Sequence, residues 1–295
     1  MQQPVFQRIA VRMAALGEGF TAARALPTRE RWMVGAWCFL DHLGPVQFSG
    51  GEGMHVGEHP HTALQTFTWM IEGNILHRDS LGSEQVIRPG QVNLMTAGWG
   101  IAHTEDSLPG ESALHAVQLW IALPAEKANI EPSFEHHPVL PGWAQDGVAC
   151  TLLAGHYANR QAPTRVHTPL LCLELYSETP ACTTLSLTPE FEYALLPLTG
   201  SVQIGRESVR SNELAYLGQG RSELELRMEP GSRVLLLGGP PYPGTVTMWW
   251  NFVGATRDDV TKAQLDWEAG ASRFGPVKGG EGRRLEAPKL PWLQR

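Results

Sequence analysis

Leu64 to Ile71, LQTFTWMI, sets Phe67, Trp69 and Ile71 on one face of an extended chain and Thr66 and Thr68 on the other. That period of two is the mark of a β-strand with unlike faces. Working outward, Glu72-Gly73-Asn74 makes a turn, a short strand follows, and Ser80-Leu81-Gly82-Ser83 turns again. Another short strand ends at Arg88-Pro89-Gly90-Gln91, and Ala113 to Leu123 (ALHAVQLWIAL) alternates until Pro124 stops it. Short strands with turn signals every eight to twelve residues or so predict an all-β sandwich or barrel. The helix–strand alternation of a parallel sheet is missing.

Residues 124–169 are rich in proline and polar residues and read as a connecting region. Beyond it the layout repeats. Thr199-Gly200-Ser201 precedes a strand as Glu72-Gly73-Asn74 did, and Ser211-Asn212-Glu213-Leu214 stands where Pro89-Gly90-Gln91-Val92 stood. Leu224 to Leu226 and Val234 to Leu237 supply later strands of what reads as an internal duplication. The expected division is a metal-binding domain over residues 1–135 and a second domain over 136–295. One helix is predicted over Arg257 to Ala269, with Thr256 as N-cap and Gly270 just past its end. Leu290, Trp292 and Leu293 are expected to anchor the tail, and Trp249, Trp250 and Trp267 to pack the second barrel.

The formal net charge of -7, with no local Lys/Arg cluster, argues against a nucleic-acid partner, which needs a basic surface. MQQPVFQRIAVRM at the start has no apolar core of signal-peptide length, and no later stretch approaches a membrane span. The expected location is the cytoplasm, with Cys38, Cys150, Cys172 and Cys182 as reduced, mostly buried thiols.

Histidine placement points to chemistry. Seven of the eleven histidines lie between His42 and His115, and they include His59-Pro60-His61 and the start of His103-Thr104-Glu105. Residues i and i+2 of a strand project from one face, about 6.7 Å apart along it. Imidazoles leaning together from such positions can both reach a metal at roughly 2.1 Å. A barrel that sets the two stretches side by side offers three neutral nitrogens and one carboxylate, from His59, His61, His103 and Glu105. Borderline metals suit that set: Fe, Mn, Co, Ni, Cu or Zn rather than Ca or Mg. Four protein ligands on an octahedral ion leave two positions for a substrate and a gas.

Counting from Gly200 as from Gly73 puts Ser186 and Thr188 at the places of His59 and His61. Counting from Asn212 as from Gly90 puts Glu225 and Arg227 at those of His103 and Glu105. The second barrel is therefore expected to hold no equivalent metal. His77 and Asp79, near a hairpin turn, read as structural hydrogen-bonding groups, with support behind the metal ligands or a proton relay as the sharper alternatives. His42 and His55 are ambiguous. Phe39, Met54, Gln118 and Trp120 are candidates to line the pocket, and His136, His137, His156 and His167 are expected to be solvated.

FLDHLGP (39–45), EHPHTALQTFTWMIEG (58–73), HRDSLGSEQVIRPGQVNLMTAGWGIAHTE (77–105) and QLWIALP (118–124) resemble the pirin family of bicupins. So does LLLGGPPYPGTVTMWWNFVG (235–254). The resemblance implies two cupin (jelly-roll) barrels with few short helices. It implies one divalent metal, iron(II) foremost, held in the first barrel by the residues matching His59, His61, His103 and Glu105. Bacterial members are commonly assigned quercetin 2,3-dioxygenase activity, and mammalian members are described as iron-dependent nuclear co-regulators. Two residues depart from the family pattern. Gln65 stands where a carboxylate behind the ligands is usual, and Trp99 where an arginine is frequent, which would make the pocket mouth more apolar.

The expected activity is therefore a metal-dependent dioxygenase acting on a flavonol-like small aromatic with O₂. Glu105, the only ligand carboxylate, is the expected acceptor of the substrate proton. The alternative is a non-catalytic metal or redox sensor that binds a protein partner. A sugar-phosphate isomerase reading is weakened by the lack of a basic phosphate site.

Overall fold

In a computed structural model, residues 5–16, 20–48, 53–280 and 282–293 are described. They form two compact units whose segments interleave along the chain. The first barrel's unit takes the described residues of Ala15–Ala22, Leu43–Pro138 and Pro243–Arg295; the second's takes those of Met1–Ala14, Ala23–His42 and Val139–Tyr242.

In the first unit a four-stranded sheet runs His55–His61, Ile101–Ser107, Ile75–Asp79, Glu84–Ile87. A second sheet carries Ser133–His137, Val92–Thr96, Leu64–Glu72 and Ala113–Ala122 in that order. The second unit repeats the arrangement. Ala181–Ser186, Glu223–Met228, Ser201–Ile204 and Glu207–Arg210 make its four-stranded sheet. Gln7–Ala10, Glu213–Gly218, Glu192–Thr199, Ser232–Gly239, Leu171–Ser177, Val148–Tyr157 and Gly142–Gln145 follow one another in its larger sheet. Matching strand order in the two units makes the all-β fold two copies of one topology, as the repeated turn signals implied.

Counting across turns nevertheless misplaced the second unit's equivalents. Ser186, Thr188, Glu225 and Arg227 are all exposed, and Arg227 donates to Glu225 on the outside. The inward positions belong to Leu185, Leu187, Leu224, Leu226 and Met228, which pack with Val202, Ile204 and Val209. A one-residue difference in phase moves every side chain of a strand to the other face, and turns of unequal length supply that difference.

The connecting region is also more structured than its prolines suggest. Ser133–His137 pairs with Val92–Thr96, so His136 bonds Asn93 and His137 bonds Glu135, both half-buried rather than solvated; His156 is exposed. Val148–Tyr157 is a ten-residue strand with Val148, Cys150 and Leu152 in the second unit's core, where VACTL alternates as a strand should.

The helix is Arg257–Glu268. Thr256 and Asp259 form a reciprocal capping box, and Gly270 follows with φ of 67°. Val260, Ala263, Gln264 and Trp267 make its buried stripe, whereas Leu265 is 53% exposed. That stripe meets Ala102, Phe252, Phe274, Val277 and Leu290, with Trp249, Trp250 and Trp292 alongside. The three tryptophans expected to pack the second barrel thus serve the unit that holds His59 and His103. Leu293, expected as an anchor, is 60% exposed. Among the described residues no helix is long and apolar enough to cross a membrane. All four cysteines are free; Cys38, Cys150 and Cys172 are buried and Cys182 is exposed.

Candidate metal centre

The first ligand strand, His55–His61, and the second, Ile101–Ser107, lie side by side and antiparallel. His103 sits opposite His59 and Ile101 opposite His61, so all three imidazoles share one face of the sheet. The register shifts between His103 and Glu105, leaving Glu105 opposite Val56. Bulges of this kind re-aim a side chain without ending the pairing. On its other edge the second ligand strand pairs with Ile75–Asp79, which sets His77 opposite Glu105 and Asp79 opposite His103.

His59, His61, His103, Glu105, His77 and Asp79 are all buried. His59, His61 and His103 can each offer a nitrogen so that the three lie within 4.8 Å of one another. Glu105 falls in a second group of the same size, with His77 and His103. Of the four ligands read from the sequence, three therefore converge directly. The fourth reaches the cluster beside His103, and His77 joins it.

Hydrogen bonds decide which nitrogens are available. His59 Nδ1 lies 2.8 Å from the Gly57 carbonyl, and His61 Nδ1 lies 3.0 Å from the Asn251 carbonyl. A carbonyl only accepts, so both Nδ1 atoms carry the proton and both Nε2 atoms keep a bare lone pair. His61 Nε2 faces His103 Nε2 at 3.1 Å. Two donors on one ion, each about 2.1 Å away and at right angles, stand about 3.0 Å apart. The pair therefore fits a shared cation, and the donor chemistry fits a borderline transition metal.

Burial sets the electrostatics. It pushes His59 down to about 4 despite the Gly57 hydrogen bond. It holds His61 and His103 well below the usual imidazole range, helped by repulsion from neighbouring histidines. Neutral imidazoles are the form a metal needs. Burial drives Glu105 the other way, up to about 7, against a hydrogen bond from Thr68. That bond is long, 3.5 Å, because the Thr68 hydroxyl also lies 2.6 Å from Gln118 Oε1.

Other sequence candidates divide. Gln118 reaches this face through Thr68, and Trp120 stands edge-on to His61 with ring centres 5.0 Å apart. Met54 is plain core, and Phe39 lies under the Arg24 guanidinium at 4.4 Å. His55 is half-exposed and bonds Asp106. Gln65 points to the opposite face of its strand from Thr68 and donates to Thr96 at 2.9 Å, so it does not stand behind the ligands. Trp99 is 43% exposed and lines a cavity of about 440 Å³ with Asn129, Lys262 and Arg273; the cavity's described lining includes no histidine.

Sequence reasoning missed the Asn251 carbonyl. It sits in the two-residue turn of the hairpin Thr247–Trp249 and Phe252–Gly254, where Trp250 has φ of 52°. The tail supports the ligand strand elsewhere too. Leu285 N–H donates to the Glu58 carbonyl at 2.8 Å, and Arg284 reaches Glu58 while covering the Trp267 ring. A Cβ at Gly57 would collide with the Arg283 carbonyl, so only glycine permits this approach.

Comparison with known proteins agrees with this architecture. The family model described as Pirin matches residues 19–121, and the Pirin C-terminal cupin domain matches 173–275. A protein of Pseudomonas aeruginosa provisionally named a quercetin 2,3-dioxygenase is 57% identical, over 98% of this chain and 91% of its own length. A pirin-like protein of Caulobacter vibrioides is 37% identical over 89% of this chain and 93% of its own. The crystal structure of a quercetin 2,3-dioxygenase from Acinetobacter baumannii superposes with a TM-score of 0.95 at 48% identity, covering 98% and 97% of the two chains. With both of its cupin domains matched and relatives of this likeness along nearly its whole length, the chain belongs to the pirin family.

Proposed function

We propose that this pirin is a metal-dependent dioxygenase of the quercetin 2,3-dioxygenase type, with His59, His61, His103 and Glu105 holding one divalent transition metal. The observation that carries the reading is the set of buried, neutral imidazoles whose ring nitrogens converge beside a buried carboxyl. The printed names of the Pseudomonas and Acinetobacter relatives support the substrate class, a flavonol-like aromatic with O₂ as co-substrate. Iron(II) is the metal proposed first, with Mn, Co, Ni, Cu and Zn as further candidates.

When bound, such a metal supplies Lewis acidity and a point of attachment for an oxygen of the substrate. Glu105 supplies the base. Its carboxylate, the acidic member of the proposed ligand set, would take a hydroxyl proton from the substrate onto the Oε not used to hold the metal. Thr68 and Gln118 steady that carboxyl and offer hydrogen bonds to a polar ring substituent. Trp120 walls the site beside His61 and keeps water from the reacting face.

The test is anaerobic loading of purified protein with each metal, followed by quercetin and O₂. Ring-cleaved product with at least one metal, reduced 100-fold or more in Glu105→Gln, is expected. Metal-replete protein that forms no product with any of them would overturn the catalytic assignment and favour a pirin that senses metal or redox state.

A further inference from the structure

Behind His103 lies a second row of side chains that the proposed reaction does not use. His77 Nε2 is 3.1 Å from Asp79 Oδ2, and His77 Nδ1 is 3.4 Å from His103 Nδ1. The His77 ring stacks on Phe134, centres 4.3 Å apart and planes within 13°. Asp79 is itself fixed, since its Oδ1 accepts the backbone N–H groups of Leu81 at 2.9 Å and Ser83 at 3.0 Å. Every torsion that could turn His77 is thus constrained, by stacking on one side and by an anchored carboxylate on the other.

The directions of these bonds follow from Asp79. Its carboxylate only accepts, so His77 Nε2 must carry the proton. A neutral His77 then presents a bare Nδ1 to His103. That contact is a hydrogen bond only if His103 Nδ1 carries its proton, which leaves His103 Nε2 bare and facing His61 Nε2 at 3.1 Å. His59 and His61 reach the same protonation state through the Gly57 and Asn251 carbonyls. All three imidazoles are thus locked in one tautomer, two by backbone carbonyls and one by a side-chain pair.

We infer that His77 and Asp79 form a positioning dyad that sets the tautomer and ring orientation of His103 for metal binding, and that His77 is not itself a ligand. The inference rests on the metal centre proposed above. Partners of this kind behind a metal-bound histidine change metal affinity by about 10–100-fold when removed. The competing arrangement is an ion held by His77, His103 and Glu105, whose donor atoms also lie within 4.8 Å of one another.

Full-length wild type, His59→Ala, His77→Phe, His77→Gln and Asp79→Asn are compared for cobalt(II) stoichiometry, for affinity by chelator competition and for the visible spectrum of the bound ion. Phenylalanine keeps a ring against Phe134 but offers no acceptor; glutamine restores an acceptor oxygen. Circular dichroism checks the fold, because Asp79 also holds its turn. Wild type is expected to bind one ion per chain. His77→Phe should still bind one, about 10–100-fold more weakly and with a shifted spectrum. His77→Gln should recover part of the loss, and Asp79→Asn should move in the same direction as His77→Phe by less. In zinc-loaded protein, nitrogen NMR should find His103 protonated at Nδ1, and that signal should change in His77→Phe.

Unchanged affinity and spectrum in a folded His77→Phe would overturn the dyad. So would a second ion in wild type that His77→Phe abolishes, since His77 would then be a ligand. Wild type that binds no cobalt would sink the metal centre and the dyad together. One ion lost in His59→Ala but indifferent to His77→Phe would sink the dyad alone.

Discussion

The two barrels share a strand order and differ in what fills them. In the first, the four-stranded sheet turns His59, His61, His77, Asp79, His103 and Glu105 inward. In the second, the matching sheet turns in Leu185, Leu224, Leu226 and Met228 with Val202 and Ile204. Hydrocarbon gains free energy on leaving water, roughly 1.5–3 kcal/mol per large side chain. Imidazoles and carboxyls lose it unless each polar atom finds a partner. The first barrel tolerates its interior because Gly57, Asn251, Asp79 and Thr68 supply those partners. The fold therefore does not require the polar cluster, which makes the cluster the candidate site.

Four experiments break or sharpen that contrast. The largest effect is expected from His59→Ala and His103→Ala, each of which should reduce bound metal from about one equivalent to near none while the chain stays folded. Metal analysis after dialysis reads this, and full occupancy in both variants would remove the basis of the comparison. Leu226→Ala in the second barrel should do the reverse, costing about 2–5 kcal/mol of stability through the cavity it leaves and sparing metal content. Urea unfolding and metal analysis on one preparation separate the two effects.

Acidity should act through the first barrel. In protein stripped by a chelator, folded His59, His61 and His103 titrate below the unfolded value of about 6.5. Below there the unfolded chain holds the extra protons, down to about 4 for His59, so their stabilisation is present above 6.5 and is lost as pH falls. Glu105 works against this. Its folded value is raised to about 7, so its contribution is present below about 4.5 and is lost as pH rises. With three imidazoles against one carboxyl, urea midpoints should fall from pH 7 to pH 5, the unfolding free energy dropping by up to about 1.4 kcal/mol per pH unit for each net proton. A midpoint that rises over that range would contradict the neutral, buried histidines. The smallest effect belongs to the tail packed on the first unit: Thr256→Ala removes the helix cap and should cost about 0.5–2 kcal/mol in thermal unfolding without lowering metal content.

Much of this was legible before any coordinates. The strands could be read because a period of two leaves its trace in residues such as Phe67 and Trp69, and the helix because Thr256 and Gly270 mark its ends. His59, His61 and His103 could be read because i, i+2 spacing puts side chains on one face. Other features depended on how separate segments register. Turn-based counting placed Ser186 and Glu225 on the wrong face of their strands, since the phase across a turn depends on backbone geometry that residue identity does not specify. Gln65 is expected behind the ligands because the resembled family usually carries a carboxylate there, yet alternation along its strand turns it to the face opposite Thr68.

The chain's own pattern of residues thus determined an all-β duplicated architecture and the strands that carry the histidines, because local periodicity is written directly in side-chain order. Tertiary structure alone decided that the described residues of 243–295 join the first barrel's unit, that the Asn251 carbonyl orients His61, and that His77 meets His103. Those are contacts between distant segments, some through backbone atoms common to every residue, and only the folded register determines which of them meet.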